Sequence, residues 1–310
     1  MKKALSLLIV LTMVVAMLVA CNNNKDDGPV TPVEKDYSLA IGVVVTENLK
    51  TLKLTETVAT IVTDADGKIV LCRLDCVDYQ AKYGDDGALN TTAPTSKVTA
   101  GDAYGTMPAG TWAAQGKALE NYVVGKTQAE VAAIALEGGK ATDADLVAGC
   151  SINIVDLLKA IDNAFKSEHK ITFKSTAAAF TSGLSYVGTV KDDSKEAEKN
   201  VKFTATYAAS VLADGKVVAA ILDTAEASLK AITEEGATSV AYNGTKRELG
   251  ENYGAMPAGT WYVQADAYVK AAIGLTASNI SSLASEGVAG CTINATEYKA
   301  AIETAVTTAR

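Results

Sequence analysis

The chain has 310 residues, 48% of them hydrophobic, and a formal charge of −8 that becomes −10 once Lys2 and Lys3 are removed with an N-terminal leader. An acidic surface repels phosphates, which argues against nucleic-acid partners. A single histidine, His169, and no close Cys/His spacing leave a zinc centre or a Ser/His/Asp triad without support.

Residues 1–20 have a positive start, an apolar run over 4–20 and small residues leading into Cys21. These are the marks of an export signal. "LVAC" over 18–21 resembles a bacterial lipobox, which implies cleavage before Cys21 and lipid on its thiol and amine. A retained anchor helix is the alternative. Either way the expected location is the extracytoplasmic face of the cell membrane, lipid-anchored in the first reading. Residues 21–36 are polar and turn-rich and are expected to form a flexible tether. The remaining length of about 270 residues suits two domains better than one.

From residue 37 the chain first reads as strands. "SLAIGVVVT" and "ETVATIVTDADGKIVLCRLDCVDY" are rich in β-branched residues, with Asp66-Gly67 marking a hairpin. "VKFTATYAASVLADGKVVAAIL" repeats the pattern around Asp214-Gly215. Cys72 and Cys76, four apart on a predicted strand, lie about 13 Å apart on one face, too far for a disulfide. They are expected to be free thiols. Helical spacing follows at Trp112, Gln115, Leu119 and Tyr122, and again at Trp261, Gln264 and Tyr268. Strands first and helices afterwards predict an α+β class, each domain a small antiparallel sheet with packed helices.

Self-comparison organises the chain. "ADGKIV" over 65–70 returns as "ADGKVV" over 213–218, and "YGTMPAGTWAAQ" over 104–115 returns as "YGAMPAGTWYVQ" over 253–264. "VAGCSIN" over 147–153 returns as "VAGCTIN" over 288–294. The order is the same, with offsets of 148, 149 and 141. A tandem duplication follows, with domains over 37–168 and 182–310. Whether they pack together or move independently is left open.

In the third phrase Asn153 with Asp156, and Asn294 with Glu297, predict a helix starting at each Asn. Ser151 and Thr292 then lie two residues ahead of a helix start, where unpaired N–H groups and the dipole favour a phosphate. Gly149 and Gly290 let backbone approach closely.

"DLVAGCS" over 145–151 followed by a helix, and preceded by "WAAQGKALENYVVGKT" over 112–127, resembles the FMN-binding domain family. Its members include covalently flavinylated subunits of redox complexes and flavin lipoproteins of Gram-positive extracellular electron transfer. The resemblance spans both repeats. It implies FMN attached as a phosphoester to Ser151 and Thr292 by a flavin transferase, at the last hydroxyl of an Asp-x-x-Ser/Thr-Gly-Ala-Thr/Ser motif. Ala148 and Ala289 replace the family's usual hydroxyl residue, Cys150 and Cys291 replace its alanine, and Glu286 replaces the leading Asp. A transferase demanding Asp favours the first site, and one demanding Thr favours the second.

Tyr104, Met107 and Trp112, with Tyr253, Met256 and Trp261, surround a Gly/Pro loop and are candidates to line an isoalloxazine ring. Trp112 and Trp261 are equally readable as core anchors, and Gln115 and Gln264 as pocket contacts or helix surface. Cys150 and Cys291, beside the acceptors, are either redox partners of the flavin or small buried residues. Asp145 and Glu286 are either transferase-recognition residues that meet its metal, or solvated carboxylates. The expected function is electron transfer from a membrane donor of the quinol oxidase type to small-molecule or metal acceptors outside the cell. No residue set makes it an enzyme in its own right. A binding or adhesion lipoprotein without flavin, and a flavoenzyme with one specific acceptor, are the rival expectations.

Overall fold

A computed structural model describes residues 33–195 and 198–310. Cys21, the leader and most of the tether lie outside the described residues. The fold is α+β, and regular structure begins at Lys35.

In the first repeat β1 (Lys35–Asn48), β2 (Lys53–Asp64) and β3 (Ile69–Gln80) form an antiparallel meander. Asp64 caps the β2–β3 turn by accepting the N–H groups of Asp66 and Lys68, and Gly67 takes the positive φ that the turn requires. Short α1 (Lys97–Ala100) leads to a two-residue ladder, β4 (Thr106–Met107) with β5 (Gly110–Thr111), and then to α2 (Trp112–Val123). After α3 (Gln128–Ala132) comes a second small ladder, β6 (Leu136–Glu137) with β7 (Lys140–Ala141). The repeat closes with α4 (Ala144–Val147) and α5 (Val155–Lys166).

The segment between the two expected domains is structured: β8 (Ile171–Ser175) pairs with β1 and forms the outer edge of the first sheet. The second repeat then forms β9 (Thr181–Asp192), β10 (Val201–Ala213) and β11 (Lys216–Lys230), joined at Asp214-Gly215, where both residues have positive φ. That is the geometry of a two-residue hairpin turn. Its fourth strand, β12 (Ser239–Ala241), adds beside β11, the opposite edge from the one β8 occupies. The short α6 (Lys246–Leu249), then α7 (Trp261–Lys270) and α8 (Thr296–Thr307), complete the chain.

The two sheets pack face to face. Leu39, Ile41 and Val43 of β1 and Val77 of β3 share one core with Phe203, Tyr207 and Ile221 of the second sheet. The opposite faces are covered by helices: Ala40, Val44, Cys72, Leu74 and Cys76 meet α2 and α5, while Ala208, Leu222 and Ala220 meet α7 and α8. The result is four layers, helix–sheet–sheet–helix. It explains the long apolar runs, since strands covered on both faces have no polar side to alternate with. The repeats therefore pack together, with residues 34–310 a single compact unit.

Glycine sets the helix–sheet distance on both outer faces. A Cβ on Gly42 would stand 2.3 Å from the Ala160 carbonyl oxygen of α5, and one on Gly183 would lie 1.8 Å from that of Ala305 in α8. Arginines tie the halves together. Arg73 of β3 donates from Nε to the Ser182 carbonyl (3.0 Å) and also bonds the Arg310 carbonyl, while Arg247 of α6 donates to the carbonyl of His169 at 3.1 Å.

One buried carboxyl sits in the inter-sheet core. Glu56 is fully buried and accepts a hydrogen bond from the Tyr207 hydroxyl at 2.9 Å through Oε2, while Oε1 has no partner. Burial pushes its pKa up to about 8, against the lowering effect of the Tyr207 bond. The side chain is therefore a neutral acid at pH 7.

Candidate functional site

Trp112 and Trp261 each open a helix, α2 and α7, immediately after a threonine. Thr111 caps α2 by accepting the Ala114 N–H at 3.2 Å. Three residues on, the same helix face carries Gln115 and Gln264, both 0% exposed. They are interior residues that join the two sequence motifs. Gln115 donates from Nε2 to the Gly110 carbonyl (2.9 Å), and its Oε1 accepts both the N–H (2.7 Å) and the hydroxyl (3.0 Å) of Ser151. Gln264 does the same with Gly259 (3.0 Å) and with the N–H (2.8 Å) and hydroxyl (2.9 Å) of Thr292. The MPAGTW loop and the AGC-Ser/Thr loop are thus one structure, made twice. With its proton held by the amide oxygen, each hydroxyl keeps its lone pairs for other work.

The helices that follow start later than their sequences predict. Asn153 and Asn294 are not first-residue caps. Their Oδ1 atoms accept from the N–H groups of Val155 and Thr296, and α5 and α8 begin at those residues. The side chain closes an Asx turn before the helix instead of capping it. Ser151 and Thr292 consequently lie four residues ahead of the first helical residue, further from the N-terminal amides than expected.

The indole rings are core anchors. Trp261 is 1% exposed and donates from Nε1 to the Tyr298 hydroxyl at 3.0 Å, and Trp112 is 6% exposed. Of the two readings open for these residues, the burial of both rings favours core anchoring. Met107 and Met256 are half-buried against the same cores. Of the aromatic candidates, Tyr104 is exposed and Tyr253 half-buried.

Beneath these tyrosines lies a pair of lysines that the sequence reading passed over. Lys97 Nζ is 3.3 Å from Asp78, 4.9 Å from the centre of the Tyr104 ring and 5.7 Å from that of Trp112. Lys246 repeats this with Glu226 at 3.0 Å, Tyr253 at 4.9 Å and Trp261 at 5.6 Å. Burial works to lower each lysine's pKa, but the partners prevail and hold both ammonium groups above their ordinary value. Each cation therefore stays charged and fixes the loop by ion pairing and cation–π contact. The signal was in the sequence: "KVTAGDAYG" over 97–105 and "KRELGENYG" over 246–254 share Lys, Gly, Tyr and Gly at matching positions.

Cys150 is 1% exposed and Cys291 half-buried, and burial raises the pKa of both thiols. Neither is a thiolate at neutral pH, which favours the packing role over redox chemistry. All four described cysteines are free. Asp145 is exposed on α4. Glu286 is exposed too, and lines a pocket of about 300 Å³ with Thr292, Tyr268, Val288, Cys291 and Ile293. Gly290 adopts positive φ (79°) in that loop and approaches Ala267, while Gly149 approaches Ala118.

The Thr292 pocket tests the fit to FMN. Its walls join apolar Val288, Ile293 and Tyr268 to polar Ser285 and Asn294, and neither Lys nor Arg lines it. A phosphate held only by affinity needs cationic or amide donors. The lining supplies no lysine or arginine to hold a phosphate by affinity alone, and it includes the acidic Glu286.

Among the described residues no cluster of three His, Cys, Asp or Glu side chains is placed to hold a metal, and no helix is long and apolar enough to cross a membrane. The chain matches no family model, and no curated protein or solved structure is significantly similar to it.

Proposed function

We propose that this is a lipid-anchored, extracytoplasmic flavoprotein that carries FMN as phosphoesters on Ser151 and Thr292 and passes electrons to acceptors outside the cell. The observation that carries the reading is the repeated clamp. Two hydroxyls, in loops of different conformation, are each oriented by a buried glutamine, Gln115 or Gln264, that is tied to its own copy of the Gly/Pro loop.

When bound, the flavin supplies one- and two-electron chemistry. The chain's own residues do the positioning. Gln115 and Gln264 orient the acceptor hydroxyls and connect them to the MPAGTW loops. Lys97 with Asp78, and Lys246 with Glu226, hold those loops from below. Asp145 and Glu286 are carboxylates available to a metal-bearing flavin transferase. The electron donor in this reading is a membrane quinol oxidase, and the acceptors are small molecules or metal ions. No nucleic acid takes part.

Burial of Trp112 and Trp261 favours a second reading, a surface-binding or adhesion lipoprotein without flavin, because it removes the largest stacking surfaces. One experiment separates them. Protein from a host with an active flavin transferase is expected to be yellow, to bleach on reduction and to recolour with generic soluble ferric acceptors. The Ser151→Ala/Thr292→Ala variant should show none of these. A colourless protein from such a host contradicts the proposal, and saturable turnover with one acceptor alone makes it a flavoenzyme instead.

A further inference from the structure

Resting on the reading above, we propose that the two acceptors are loaded in a fixed order, with Thr292 the fast site and Ser151 the slow one. The hydrogen bonds to Gln115 and Gln264 are the same within 0.1 Å, so the clamp does not distinguish them. Their surroundings do.

Ser151 is half-buried, and the loop before it is bonded into α4. The N–H groups of Val147 and Ala148 bond the carbonyls of Asp143 and Ala144, and those of Gly149 and Cys150 both bond Leu146. Cys150 and Leu146 are buried beneath it, and beyond it the Ile154 N–H is held by the Gly139 carbonyl. Thr292 is exposed and faces the pocket of about 300 Å³. Its preceding loop makes one backbone–backbone bond over 284–291, from Cys291 N–H to the Val288 carbonyl, is held at its start by the Tyr268 hydroxyl on the Ala284 carbonyl, and turns through Gly287 and Gly290 at positive φ.

The chemistry turns this difference into a rate. The hydroxyl oxygen attacks the flavin-side phosphorus of a flavin dinucleotide. An O–P bond forms as the anhydride P–O bond breaks, the nucleotide monophosphate leaves with the electron pair, and the hydroxyl proton passes to a base of the transferase. Nothing is oxidised or reduced. The transferase must bring phosphorus to about 3–3.5 Å from the oxygen, in line with the leaving group. A loop bonded into a helix must first open locally, and that cost multiplies into the rate. Serine is the less hindered alcohol, so preference for Thr292 runs against intrinsic reactivity and reports the loops.

The test is a time course on the mature full-length protein with purified flavin transferase and flavin adenine dinucleotide, read as site occupancy by peptide mass spectrometry. The Thr292 peptide is expected to gain FMN at least tenfold faster than the Ser151 peptide. Ser151→Ala should leave the fast phase intact, Thr292→Ala should leave only the slow phase, and Asp143→Ala, which uncaps α4, should speed labelling at Ser151. Equal rates, or Ser151 labelled first, overturn the order while leaving the flavin reading in place. No label at either site removes both.

Discussion

The two halves use the same parts around their glutamines and differ in what encloses them. Both close a helix onto a sheet through a glycine, Gly42 under α5 and Gly183 under α8, and both anchor a tryptophan, a lysine and a glutamine beneath the Gly/Pro loop. They diverge at the periphery. The fourth strand adds to opposite edges of the two sheets, and α4 precedes Ser151 with no counterpart ahead of Thr292. The packed centre of each half is constrained by its neighbours, whereas edges and loops are free to change and so determine how the Ser151 and Thr292 hydroxyls are presented.

The strongest challenge to this equivalence is at the glycines. Gly183→Ala forces a Cβ into the Ala305 carbonyl and is expected to cost about 4 kcal/mol, at or beyond the usual overpacking range. Because the sheets share one core, calorimetry should show a single transition moving down, with Gly42→Ala behaving alike. Two separate transitions would show that the halves are independent.

The next effect lies in the shared core itself. Glu56 has a folded pKa of about 8, against an ordinary value of 4.5. Between those values the folded protein holds a proton that the unfolded chain has released, so stability falls as pH rises through that window and levels above it. At pH 7 the penalty is about 3 kcal/mol. Glu56→Gln keeps an acceptor for Tyr207 and should flatten the slope, with its largest gain at pH 8–9. Denaturant melts from pH 5 to 9 decide this, and an unchanged slope would mean the carboxyl is ionised in the fold.

Smaller effects sharpen the comparison of the clamps. Gln115→Leu and Gln264→Leu should each cost about 2 kcal/mol by leaving a glycine carbonyl and an acceptor N–H without their partner. Equal costs are expected, since the bond lengths match, and flavin loading should fall at the altered site only. Trp261→Phe should cost about 1 kcal/mol beyond the lost area, through the orphaned Tyr298 hydroxyl. Trp112→Phe, without such a bond, should lack that increment in the same melts.

Much of this architecture is legible in the sequence, for local reasons. Asp-Gly fixes two hairpins because few residues accept positive φ, and a tryptophan after threonine marks two helix starts. The missed features depend on distant partners. Gln115 reads as surface or pocket until Ser151, 36 positions away, is seen to bond it. Lys97 is an ordinary lysine until Asp78, Tyr104 and Trp112 surround it. Residues 169–181 read as a junction because β8 is short, and only its pairing with β1 makes it a strand. The sequence predicts helix starts at 153 and 294, two residues before the observed ones, because an Asx turn and an N-cap use the same side chain.

The most direct measurement is the intact mass of the mature protein made alongside a flavin transferase. Two FMN-phosphoryl additions are expected on the wild-type chain, one on each of Ser151→Ala and Thr292→Ala, and none on the double variant. A wild-type mass with no addition, from a host that flavinylates another protein, would contradict the proposal.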